Sequence, residues 1–123
     1  MSNSKTILVV DDSKVSRMMI RAFILEKYPD WIIEEAATGE EALEKIRTIV
    51  PDLISMDVNM PGMGGLAAAG KLREECPFAH ISLLTANVQE ATRQKAKLLD
   101  VGFIEKPITR PRIQKMIEVL VGA

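Results

Sequence analysis

Five times along this chain a short apolar run is followed by a stretch with helical spacing. The runs fall at residues 7–10, 31–36, 53–56, 81–84 and 101–104. They are too short for helices, and their aliphatic content reads as strands buried in a sheet. The stretches between them predict helices. Residues 13–27 place Val15, Met18, Met19, Ala22 and Phe23 on one face. Thr38 with Glu41 forms a capping box, Ala42, Leu43, Ile46 and Ile49 make the apolar face behind it, and Pro51 stops that helix. Residues 66–75 read as a third helix with Gly70 inside it, and Asn87 with Glu90 starts a fourth. Residues 109–121 close the series with Ile113, Met116, Ile117, Leu120 and Val121 on one face. The stretch 59–65 holds Pro61, Gly62, Gly64 and Gly65 and reads as a loop. Strand–helix alternation of this kind implies an α/β fold, with parallel strands joined by right-handed helical crossovers.

The bulk composition narrows the class. At 123 residues the chain fits one domain, since domains run roughly 100–200 residues. It is 47% hydrophobic and 27% charged, which is a globular composition. Lys plus Arg number 16 against 17 Asp plus Glu, a net charge of −1, so there is no electrostatic footprint for nucleic acid or an anionic membrane. Cys76 is the only cysteine, which excludes an intrachain disulfide and fits a reducing compartment. Residues 1–6 lack the apolar stretch of a signal peptide, and no apolar run nears the ~18 residues of a membrane span. The expectation is a soluble cytoplasmic domain over residues 1–123, with no output domain, no direct nucleic-acid contact and no membrane contact.

In an open parallel sheet, ligands bind beyond the carboxyl ends of the strands. The residues that leave the expected strands there are Asp11 and Asp12, Asp57, Thr85, and Glu105, Lys106 and Pro107; the second strand ends in Ala36 and Ala37. Taken singly these are commonplace. Paired aspartates cap helices, an aspartate after a strand suits a turn, and lysines are mostly solvated. Their joint placement after strands one, three, four and five is not commonplace. Three carboxylates brought together repel, by roughly 4 kcal/mol per pair at about 4 Å and an effective dielectric near 20. A divalent cation relieves that repulsion, and magnesium (Mg2+) suits carboxylate, water and phosphate oxygens. A cation on Asp12 and Asp57 leaves room for a phosphoryl group whose other oxygens Lys106 and Thr85 bind, and an aspartate can itself be the nucleophile.

The segments ILVVDDS, TGEEAL, PDLISMDVNMPGMGG, LLTA and FIEKP together resemble a two-component response-regulator receiver domain, similar to the stand-alone chemotaxis type. The resemblance covers nearly the whole chain. It implies a flavodoxin-like, doubly wound five-stranded parallel sheet in the order 2-1-3-4-5 with five helices. It assigns Asp57 as phosphoacceptor, Asp12 as direct magnesium ligand, Asp11 as a ligand acting mainly through water, and Asn59 as a ligand through its backbone carbonyl. Thr85 is then the switch hydroxyl, Lys106 the phosphate-binding lysine, Phe103 the aromatic switch residue, and Lys106–Pro107 a cis bond. Asn59 and Asn87 lie near the path of the hydrolytic water.

The implied function is a phosphorylation-activated switch. The donor is a phosphohistidine on a sensor histidine kinase or histidine phosphotransfer protein, and an output protein reads the altered surface of residues 87–121. Such a domain assists its own phosphorylation and dephosphorylation without being an enzyme. A monomer is expected, with dimerisation on activation left open. Two departures stand out: Gly64 replaces a polar capping residue, and Leu99–Asp100 replaces a Gly-Ala pair. Met18, Met19, Met56 and Met60 read as packing, and His80 as a surface residue at the end opposite the acidic site.

The alternative is a metal-dependent phosphohydrolase with an aspartyl-phosphate intermediate. That class expects a second aspartate where Asn59 stands, its nucleophile on the first strand, and a cap region. A flavin carrier shares the fold, but Asp11 and Asp12 would repel its phosphate. Intact Asp57, Thr85 and Lys106 argue against an unphosphorylated scaffold.

Overall fold

The computed structural model describes residues 4–59, 64–86 and 89–121. The elements alternate as β1 (Thr6–Val10), α1 (Lys14–Lys27), β2 (Ile32–Ala36), α2 (Gly39–Lys45), β3 (Leu53–Asp57), α3 (Gly65–Glu75), β4 (His80–Thr85), α4 (Glu90–Leu99), β5 (Gly102–Glu105) and α5 (Arg110–Ile117), followed by a 3-10 turn at Glu118–Leu120. The strands form one parallel sheet in the order β2-β1-β3-β4-β5, as the alternation and the resemblance together imply. β1 lies between β2 and β3, with Val10 paired to Ala36 on one side and to Met56 on the other.

Successive side chains of a strand point to opposite faces, so each strand feeds two cores. Leu8, Val10, Ile54, Met56, Ile81 and Leu83 pack beneath α2, α3 and α4, meeting Ala42, Ala68, Ala69, Leu72 and Ala96. Ile7, Val9, Leu53 and Leu84 pack beneath α1 and α5, meeting Ile20, Ile24, Ile113, Met116 and Ile117. Burying one such aliphatic side chain stabilises the fold by about 1.5–3 kcal/mol.

Helix starts follow local chemistry. The hydroxyls of Ser13, Thr38 and Thr109 accept the backbone N–H three residues on, at the heads of α1, α2 and α5. At α2 the capping box closes one residue early, because the Glu41 carboxylate accepts from the N–H of Ala37 rather than of Thr38. α4 starts from Gln89 without a side-chain cap, and Asn87 lies outside the described residues.

Several expectations are corrected. The buried face of α1 is Ile20 and Ile24; Val15 is 66% and Met18 56% exposed, Met19 and Ala22 are also exposed, and only Phe23 of the expected face packs inward. Met18 and Met19 are therefore not core residues, whereas Met56 is; Met60 lies outside the described residues. Trp31 precedes β2 and stacks on Tyr28, with centroids 4.1 Å apart, closing the second core. α2 ends at Lys45, well before Pro51. Ile46, Thr48, Ile49 and Val50 are β-branched and poor helix formers, and the Thr48 hydroxyl bonds the Lys45 carbonyl. α5 likewise tightens into the 3-10 turn, leaving Val121 exposed.

The turn into β5 shows how this chain manages without the Gly-Ala pair. Asp100 adopts the left-handed conformation at φ 57°, which aspartate tolerates better than most residues. Its N–H bonds Lys97 O and the N–H of Val101 bonds Ala96 O, the pairing of a Schellman cap. Arg73 donates to four backbone carbonyls, those of Leu99 and Asp100 in this turn and those of Pro77 and Ala79 before β4.

At the amino-terminal edge of the sheet Val50 and Phe78 are 89% and 97% exposed, and exposed His80 opens β4 there. No helix among the described residues is long and apolar enough to cross a membrane.

Candidate metal and phosphoryl site

The carboxyl ends of β1, β3, β4 and β5 bring the expected residues together. Asp11 extends the β1–β2 pairing by one residue, its N–H donating to Ala36 O at 3.0 Å. Its Oδ1 accepts from the N–H of Ser13 at 2.9 Å, and its side chain is buried. Asp12, one residue on, is exposed. Asp57 ends β3 at 4% exposure and accepts from the N–H of Asn59 at 3.3 Å. Each of Asp11, Asp12 and Asp57 offers a carboxylate oxygen within 4.8 Å of the other two.

Lys106 closes the group from β5, its Nζ 3.2 Å from Asp57 Oδ1. Its backbone N–H donates to Thr85 O at 2.8 Å, tying the lysine to the last residue of β4. Thr85 is buried and pairs with Glu105 in register. The Lys106–Pro107 bond is cis. Phe103 is half-buried, paired with Leu83 and packed on the core beneath α3 and α4. Asn59 is exposed beside Asp57; Asn87 lies outside the described residues.

The electrostatics identify the atom that needs a partner. Burial pushes the Asp11 carboxyl above its usual value, with Asp57 and Asp12 adding repulsion; the Ser13 N–H and Lys106 act in the opposite direction. Asp11 Oδ2 is buried without a hydrogen-bond partner. A buried acceptor left bare costs free energy, and a cation among the three carboxylates would satisfy it. The hard oxygen donors suit magnesium, so the residues fit the ion the sequence implies.

Two hydrogen bonds and one close backbone approach around the site are not displayed by the sequence. Arg17 donates through Nη1 to the Asp11 carbonyl at 2.7 Å. Arg112 donates to the Pro107 carbonyl at 3.0 Å, holding the turn that carries Lys106. A Cβ at Gly65 would overlap the Asp57 carbonyl and stand 2.7 Å from Val58 Cα, so only glycine lets α3 begin this close to the site. Gly64 before it, at φ 81°, gives α3 no side-chain cap. The positions of Arg17 and Arg112 one or two turns from the site loops were the available signal, but only packing shows their targets.

The model of the response regulator receiver domain matches residues 7–118. Chemotaxis protein CheY of Halobacterium salinarum is 35% identical over 98% of this chain and 99% of its own length. The protein-glutamate methylesterase/protein-glutamine glutaminase of Bacillus subtilis is 39% identical over 82% of this chain, which spans only 29% of that protein. The solved structure of Vibrio cholerae chemotaxis protein CheY4 superposes with a TM-score of 0.87 at 29% identity, covering 95% of this chain and 98% of that one. With the sheet order, the acidic cluster and these likenesses on one chain, it belongs to the response regulator receiver domain family, as a phosphorylation-activated switch of the CheY type.

Proposed function

We propose that Asp57 is the phosphoacceptor of this switch and that residues 1–123 form a single receiver domain that is not itself an enzyme. The observation that carries the reading is the meeting of Asp57 with Lys106 at 3.2 Å inside a three-carboxylate cluster. In the transfer, an Asp57 carboxylate oxygen attacks the phosphorus of a phosphohistidine on a sensor histidine kinase or histidine phosphotransfer protein. The phosphorus–nitrogen bond breaks and its electron pair returns to the imidazole. Asp11, Asp12 and Asp57, with the Asn59 backbone carbonyl, would hold magnesium, which when bound neutralises charge on the transferring group. Lys106 exchanges its Asp57 oxygen for phosphoryl oxygens, and the Thr85 hydroxyl donates to another. Phe103 follows Thr85 inward, altering the surface built from α4, β5 and α5, and an output protein reads the new population. Water later hydrolyses the acyl phosphate; the resemblance assigns the tuning of its rate to Asn59 and Asn87, whose neutral amides are not strong bases. The near-neutral charge and single cysteine support a cytoplasmic setting, with no direct contact to nucleic acid or membrane.

The test is intact mass after incubation with magnesium and a small phosphodonor such as phosphoramidate. The unsubstituted protein gains one phosphoryl group and loses it on standing. Asp57→Ala gains none; a full gain in that variant overturns the assignment.

A further inference from the structure

The geometry points to Arg17 and Glu35 as positioning residues that hold the Asp11–Asp12 turn in its metal-binding arrangement, an inference that rests on the reading of that turn as a magnesium site. One guanidinium joins three parts of the fold. Arg17 Nη1 donates to the Asp11 carbonyl at 2.7 Å, and its Nε donates to Glu35 Oε1 at 2.9 Å. Arg17 is on α1, Glu35 is on β2 opposite Val9 of β1, and Asp11 is the first residue beyond β1. The Arg17 side chain is 16% exposed and the Glu35 side chain 33%, so the guanidinium is the more shielded half of the brace.

The Asp11 contacts give the brace its purpose. Its N–H is held by Ala36 O, its carbonyl by Arg17 and its Oδ1 by the N–H of Ser13. Only Oδ2 is left, buried and without a hydrogen-bond partner beside Asp12 and Asp57. The peptide linking Asp11 to Asp12 carries the carbonyl that Arg17 holds, so rotation about the Asp11 Cα–C bond would swing that carbonyl and, with it, the Asp12 carboxylate relative to Asp11. Arg17 fixes that rotation, and Glu35 fixes Arg17. The role is geometric more than electrostatic, because the guanidinium charge is already paired with Glu35. Partners that orient ligands from outside the coordination sphere typically change metal affinity by 10–100-fold.

Magnesium affinity of the unphosphorylated full chain, measured by isothermal titration, tests this alongside the melting temperature. Arg17→Ala is expected to weaken magnesium binding about tenfold. Arg17→Lys is expected to lose nearly as much, because an ammonium keeps the charge but lacks the fork that spans carbonyl and carboxylate. Glu35→Gln, which keeps the acceptor oxygen, loses less than either. Ile24→Ala is the control for general loosening of α1: Ile24 is buried in the core beneath α1 and α5, on the same helix but away from the acidic turn. It is expected to lower the melting temperature with little change in affinity. The inference is overturned if folded Arg17→Lys binds magnesium as tightly as the unsubstituted protein, or if folded Ile24→Ala loses as much affinity as Arg17→Lys. Asp12→Asn separates the two levels: if the unsubstituted protein binds no better than Asp12→Asn, the magnesium reading itself fails.

Discussion

Asp11 is the residue where folding and function pull apart. Its carboxyl is raised above 3.8 chiefly by burial, so the folded protein holds that proton more tightly than the unfolded chain does. By linkage, ionised Asp11 lowers stability at neutral pH without metal, and the penalty is relieved as pH falls through the raised folded value towards 3.8. Asp11→Asn is therefore expected to melt a few degrees higher than the unsubstituted protein at neutral pH in chelator, with the gap closing in acid. Thermal melts across pH check this, and a variant that melts lower throughout would show that the Ser13 and Lys106 interactions outweigh burial. The acidic residues themselves were legible in the sequence, because each follows an aliphatic run whose direction aims it at the same end. Arg17 and Gly65 were not, since one acts through a carbonyl six residues back and the other through the space a methyl would fill.

At the scale of elements, caps were readable and faces less so. Ser13, Thr38 and Thr109 cap through contacts three residues long, which a sequence displays directly. α1 carries two apolar stripes at helical spacing, and periodicity alone does not rank them. The stripe of Ile20 and Ile24 reaches the sheet, because the chain leaves β1 with that side turned inward; the stripe of Val15, Met18 and Met19 faces out. Ile24→Ala is thus expected to cost about 2–5 kcal/mol of unfolding free energy. Met18→Ala should stay within about 0.5 kcal/mol. Urea titrations of the two variants decide the assignment, and the reverse order would restore the face expected from the sequence. The early end of α2 was hidden for a different reason: Pro51 marks a helix limit in one dimension, whereas the β-branched residues before it set the real one.

Over the whole molecule, strand order places the chemistry. β1 and β3 are neighbours, so Asp11 and Asp57 leave adjacent strands at the seam where the crossover helices pass to opposite faces. Because the acidic site exists only when these strands are paired, magnesium should stabilise the fold it binds. At a hundred times its dissociation constant it adds about 2.7 kcal/mol to unfolding. Denaturation in saturating magnesium against chelator measures this, and Asp12→Asn should lose most of the gain; an equal gain in that variant would place the ion elsewhere. The common direction of all five strands also divides the molecule into two poles. At one, four strands converge on three carboxylates, a threonine hydroxyl and a lysine. At the other, the loop before β3 presents Val50 to solvent, with the length of β3 between it and Asp57. A reporter peptide spliced in at Val50 would sit behind the sheet and sense nothing of the acidic end directly. Whatever it recorded of phosphorylation would have travelled through the strands, which makes that silent pole the vantage from which to watch the switch without disturbing it.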